Sequence, residues 1–291
     1  MSRLIAGDKQ DELRQERQAM TSLQTQGCPH LAAQHRLQAG DASDGGRPRL
    51  LRISEVEQTP DPESSLPCIA QWVREFLARP HPQLGRKGSV CPFVPLSLTM
   101  DTIWLAEVSD PGASFESISK IITEYRDLFL AIEPKSGPDA MQKSFLIVFP
   151  ALAAHADGPA LVDEVQYALK KYFVDMGLML GEFHSENESG GLRNPDFRPL
   201  RSPVPMLAIR YMVESDLPFL MRESYPPQER SAFLRSYLSR VGGNLSPAKF
   251  EQVLDRLIAA EIELWVANAT TAAQSACVQA RAEEPSMGVS S

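Results

Sequence analysis

The segment Ser144-Phe145-Leu146-Ile147-Val148-Phe149 is an almost unbroken apolar run closed by Pro150. Successive side chains of a strand point to opposite faces, so a strand that is apolar at every position has to be covered on both sides. A central strand of this kind calls for helices above and below it. The expected fold is therefore α/β (α+β), a mixed central sheet flanked by helices.

The flanking helices are legible. Leu66, Ile69, Ala70, Val73, Phe76 and Leu77 recur at helical spacing, and Pro80 with Pro82 stops the run. Phe115, Ile118, Ile121, Ile122, Tyr125, Leu128 and Phe129 form a second stripe with Ser114 as its N-cap. Leu161, Val165, Ala168, Leu169, Tyr172, Phe173 and Met176 form a third, ending at Gly177 where a left-handed cap belongs. Further strands are expected over 102–108, bounded by Asp110-Pro111-Gly112, and over 178–183 and 206–212. Two late helices, about 227–241 and 247–266, are parted by Gly242-Gly243 and restarted by Ser246-Pro247.

These elements fall within one expected domain, residues 49–268. Residues 1–48 are polar and read as a flexible leader with a short helix around 8–26, and residues 269–291 read as a flexible tail. The excess of acid over base, a net charge of −8, argues against a nucleic-acid or anionic-membrane partner. The first residues lack the apolar middle of a signal peptide, and no apolar run approaches the roughly 18–20 residues that span a bilayer. A soluble, cytoplasmic protein acting on small molecules is expected. Cys28, Cys68, Cys91 and Cys277 have no paired spacing, so neither a disulfide framework nor a zinc knuckle is signalled.

Three segments carry candidate chemistry. In Gly85-Arg86-Lys87-Gly88-Ser89-Val90-Cys91-Pro92-Phe93, Pro92 fixes the backbone beside Cys91, and Arg86 and Lys87 favour its thiolate. The plain reading is a small hydrophobe in a turn. From 184 to 205 the chain is polar and rich in Pro, Gly and Arg, an unusually long connection between two strands. His184 stands where a strand gives way to that loop, a place that suits a ligand, an acid–base group or a hydrogen-bonded surface residue. Arg193, Arg198, Arg201 and Arg210 bring positive charge to an acidic chain, for an anionic ligand or for salt bridges to Glu182, Glu186, Glu188 and Asp196. No Gly-x-Ser-x-Gly elbow, phosphate loop or dinucleotide fingerprint is present.

The order Cys91-Pro92-Phe93, strand, helix, Phe145–Phe149, helix, Gly181-Glu182-Phe183-His184, Arg198-Pro199-Leu200-Arg201-Ser202-Pro203 and an apolar strand resembles a bacterial family of largely uncharacterised proteins. That family is similar in turn to the YqcI/YcgG proteins and the haem protein of the D-cycloserine pathway. The likeness covers about residues 66–240, and where its pattern reads His-Pro this chain has His184-Ser185. The resemblance implies a haem-dependent oxygenase acting on a guanidine or amine nitrogen of an arginine-like substrate in natural-product biosynthesis, with an external electron donor. It implies Cys91 or His184 as the iron ligand, with thiolate donation favouring Cys91. Arg193, Arg198 and Arg201 would hold the haem propionates or a substrate carboxylate, and Glu182 and Asp101 the substrate guanidinium. Two other readings stay open: a non-catalytic small-molecule-binding or accessory protein, and a thiol enzyme pairing Cys91 with His184.

Overall fold

The computed structural model describes residues 49–282, with side chains as far as Thr270. The leader and its helix over 8–26 lie outside the described residues. The described chain divides into two compact units, and the expected domain over 49–268 spans both.

The first unit is built on a five-stranded mixed sheet of order β1-β2-β3-β5-β4. Its strands are β1 (Leu51–Arg52), β2 (Ile103–Glu107), β3 (Ser144–Val148), β4 (Leu178–Phe183) and β5 (Met206–Tyr211). β2 and β3 are parallel, and the other neighbours are antiparallel. The apolar run at 144–149 occupies the centre, as its composition requires. Leu146 and Val148 enter one apolar cluster, Phe145 and Ile147 the other. Each of these side chains contributes about 1.5–3 kcal/mol by leaving water.

Helices α1 (Ile53–Gln58) and α2 (Leu66–Trp72) cover the first face. α2 continues into a π-helical turn over Val73–Leu77, in which the amide of Ala78 donates to Val73 O at 2.9 Å. The short α3 (Val94–Thr99) follows the Cys91-Pro92-Phe93 turn, so that turn leads into a helix and not directly into a strand. The second face is covered by α4 (Phe115–Ala131) and α6 (Gly158–Asp175), while α5 (Gly137–Ala140) is a single turn between α4 and β3. Ser114 caps α4 as expected. Its hydroxyl accepts from Ser117 N at 3.2 Å, and the Ser117 hydroxyl accepts from Ser114 N at 2.9 Å.

The other end of α4 is closed less predictably. Lys143 is buried, and its Nζ donates to Phe129 O at 2.6 Å and Ile132 O at 2.7 Å, filling acceptors that a helix end leaves open. Burial pushes the amine down to about 8.

The second unit holds residues 174–177 and the chain from Met212 onward. Gly177 takes φ +77°, and its amide donates to Val174 O at 2.9 Å, the left-handed stop expected there. α7 (Leu217–Leu220), α8 (Pro227–Val241) and α9 (Pro247–Ala282) follow. Phe233, Leu234, Tyr237, Val253 and Ala260 are buried in this unit. α9 runs well beyond the expected end near 266. The stretch to Ala282, read as tail, is rich in alanine, the best helix former, and continues the helix without large apolar residues. No helix among the described residues is long and apolar enough to cross a membrane.

Candidate functional site

The Cys91 turn and the 184–205 loop meet on the first face of the sheet. Asn194 donates through Nδ2 to Gln83 O at 2.8 Å. Phe197 is buried and stacks on His81 with ring centroids 4.6 Å apart. Gly85 has φ +74°, and a Cβ there would stand 3.0 Å from Arg193 Cβ, so the turn and the loop approach as closely as glycine permits. Cys91, Phe183, Phe197 and Val204 share one apolar cluster.

Within that turn the backbone is firmly held. Cys91 N donates to Leu77 O at 2.9 Å, and the Ser89 hydroxyl donates to Cys91 O at 2.9 Å. The Arg86 guanidinium donates to Lys87 O and Val90 O, which shapes the loop. Phe93 lies beneath the Arg210 guanidinium, 5.5 Å from the ring centroid. Cys91 is a free thiol; Cys68 is disulfide-bonded, a pairing that the scattered spacing did not signal.

His184 faces the other way. Along β4, Leu178 and Leu180 join the second-face cluster and Phe183 the first, so the next residue returns to the second face. There the His184 ring is buried and its Nε2 lies 3.0 Å from Asp163 Oδ1 on α6. Nδ1 is buried without a partner among the described residues. The His184 carbonyl accepts from Asn187 N and Ser202 N, both at 3.3 Å, which clasps the two ends of the loop. Cys91 and His184 therefore do not open onto one cavity. This also removes the nucleophile-and-base pairing of a thiol enzyme.

The arginines follow the plain reading in part. Arg198 Nε donates to Glu188 Oε2 at 2.9 Å, and Arg201 reaches the other oxygen of the same carboxylate. Hydrogen bonds from Arg198 and then Arg201 hold the Glu188 carboxyl below its usual range. Arg193 is exposed and makes no polar side-chain contact among the described residues. His184, Asn187, Glu188, Arg198 and Arg201 do form a connected set, because Arg201 Nε also donates to Asn187 O at 3.2 Å.

Glu182 and Asp101 are far apart. Register places Glu182 level with Leu207, Ile147 and Ala106, whereas Asp101 precedes β2. Strand rise and spacing put them roughly 20 Å from one another. Asp101 adopts φ +52°, uncommon for a residue with a side chain, and is gripped by its neighbours. Ser54 donates to its Oδ2 at 2.8 Å, Arg52 donates to its carbonyl at 2.5 Å, and Oδ1 is buried without a partner among the described residues. The two carboxylates do not form a guanidinium clamp.

A haem set between Cys91 and His184, with Arg193, Arg198 and Arg201 along its edge, does not fit these residues. The sheet stands between the two ligands, and two of the three arginines are held by Glu188.

What the first face does offer is a cleft of about 360 Å³ lined by Arg74, Ala78, Arg79, Pro95, Leu98 and Thr99. The π turn contributes Arg74 to this lining, and the residues just after it contribute Ala78 and Arg79; such an irregularity recurs at functional sites. Arg74 is engaged by Glu57, with Nη2 donating to Oε2 at 2.6 Å. The Arg79 guanidinium has no polar partner among the described residues. Sequence reasoning passed over Arg79 because a basic residue ahead of Pro80 looks like an ordinary helix end. It also passed over Asp163, since no local spacing links a helix to a strand end 21 residues later.

Fold and site together define an α/β protein with a mixed sheet and a small cleft on one face, lined in part by Arg74 and Arg79. The chain belongs to the family described as domain of unknown function DUF6875, whose model matches residues 66–251. No curated protein and no solved structure matches it.

Proposed function

We propose that this chain binds a small carboxylate-bearing molecule in the Arg79 cleft, as a binding or accessory protein of small-molecule metabolism. One observation carries the reading: a guanidinium with no polar partner among the described residues lines a cleft shared by Ala78, Pro95 and Leu98 with Arg74 and Thr99. A guanidinium presents a planar fork of donors that matches a carboxylate, and ligand sites occupy about 300–1,000 Å³. Ala78, Pro95 and Leu98 suit the carbon skeleton of an amino-acid-sized ligand. Calorimetric titration of the full chain with a panel of amino, keto and hydroxy acids tests this. A binder should lose tenfold or more in affinity with Arg79→Ala, as a charge-assisted hydrogen bond contributes about 1.5–3 kcal/mol. Failure of the whole panel, or equal binding by the variant, rejects it.

The second reading is the haem-dependent nitrogen oxygenase that the resemblance implies, in a form where Cys91 alone meets the iron. The free thiol of Cys91, held in a turn fixed at both flanking carbonyls, favours it. An optical spectrum after reconstitution with haem decides. A Soret band lost in Cys91→Ala and kept in His184→Ala supports this form. A band lost only in His184→Ala, or no retained haem, excludes it.

A further inference from the structure

Helix α9 carries two apolar stripes, and the second unit uses one. Val253 and Ala260 are buried, with Leu257 and Leu264 half-buried on the same side. The other stripe consists of Phe250, Leu254, Ile258, Ile262, Trp265 and Val266, exposed by 39% at Leu254 to 70% at Trp265. Large apolar side chains gathered on one helical face mark an interaction surface, whereas scattered ones need no explanation. We propose that this stripe is a homodimer interface in which α9 crosses the α9 of a second copy, antiparallel, with Ile258 on the two-fold axis.

Spacing is the first argument. Phe250, Leu254, Ile258, Ile262 and Val266 follow one another at intervals of four. They form a single i±4n ridge, and two such ridges interlock at a crossing angle of about −50°. A two-fold axis at Ile258 sets Phe250 opposite Val266 and Leu254 opposite Ile262. The stripe is thus self-complementary, as an interface between identical copies must be.

Area is compatible with this pairing, and like charges meet where Asp255 faces Glu261. The exposed parts of these six side chains offer roughly 600 Å² on each copy, an upper bound of about 1,200 Å² for the pair, beside the ~1,000 Å² expected of a specific interface. Glu251 falls opposite Trp265 and meets no acid. Asp255 falls opposite Glu261, which is already held by Ser231 and Arg235. Acidic neighbours beside the stripe disfavour an anionic bilayer as the occupant.

Sedimentation of the full chain at up to about 100 μM tests the surface, since a micromolar dimer is then well populated. A concentration-dependent dimer is expected, with Trp265 emission shifting to shorter wavelength as it forms. Ile258→Glu should weaken association at least tenfold with an unchanged circular dichroism spectrum. In mild oxidant, a mixture of Leu254→Cys and Ile262→Cys proteins should cross-link to a heterodimer, while Leu254→Cys alone should form no more dimer than wild type. A monomer at every concentration, a dimer indifferent to Ile258→Glu, or efficient self-linking by Leu254→Cys overturns the proposal. So does an intramolecular cross-link from Lys9 to Lys249 in a monomer, which would assign the stripe to the leader.

Discussion

The His184 Nε2 lies 3.0 Å from Asp163 Oδ1, although 21 residues and a strand separate them in the chain. The ring is buried while the carboxylate is half exposed, and the His184 carbonyl closes the following loop. The pair ties α6 to the end of β4. It therefore acts as a fastening for the loop, and its loss should be felt first in stability.

His184→Ala removes a buried ring and leaves a void, so it should cost about 2–4 kcal/mol. Asp163→Ala should cost about 1 kcal/mol, because water reaches the half-exposed carboxylate's position. Urea unfolding of both variants ranks them. Equal, negligible losses would show that the pair fastens nothing.

Gly85→Ala should destabilise by about 1–3 kcal/mol, since it places a side chain at φ +74° and drives a Cβ toward Arg193. The loss should be accompanied by faster amide exchange in 190–197, where the loop rests on the turn. Protected exchange there in the variant would refute the close approach.

Acid should loosen the loop before the core. Arg198 and Arg201 depress the Glu188 carboxyl, so their contribution is complete above its ordinary value near 4.5 and fades as pH falls through the lowered one. Amide exchange across 187–201 should therefore rise below about pH 4 relative to Glu188→Gln, which lacks the transition. A parallel response in both proteins would disprove it.

Lys143 gives a slope of the opposite sense. Its amine titrates near 8 when folded and at the ordinary 10.5 when unfolded, so the unfolded chain binds the extra proton between those values. Stability should gain from this residue as pH rises from 8 to 10, and Lys143→Met should flatten that gain. Chemical denaturation at stepped pH measures it, and an unchanged slope in the variant would count against burial of the amine.

Where periodicity speaks, the chain was readable. The stripes at 66–77 and 115–129, the Ser114 cap, the Gly177 stop and the central place of 144–149 all stand in the fold, because each is decided by neighbours within a few residues. The stripe at 161–176 stands in part: Val165 and Phe173 are buried, Ala168, Tyr172 and Met176 are exposed, and Val162 and Val174 turn inward instead. β1, α1, α3, α5 and α7 were missed, being too short for any period to emerge. The Cys91 turn and the long loop do adjoin. The shared pocket for Cys91 and His184 does not form, since one position of strand alternation sets which side a residue serves. Asp101 and Glu182 are parted by strand register, which no spacing along the chain reveals.

Phe183 and Met206 are register partners, so the hairpin is already closed where the 22-residue stretch between them begins and ends. What hangs from that closed neck can lengthen at little cost, about 0.6 kcal/mol for each doubling of a flexible loop. That freedom belongs to the exposed stations of the excursion, since Asn187, Phe197, Ser202 and Val204 are buried against the fold. Such a neck lets a rigid scaffold host a changeable surface.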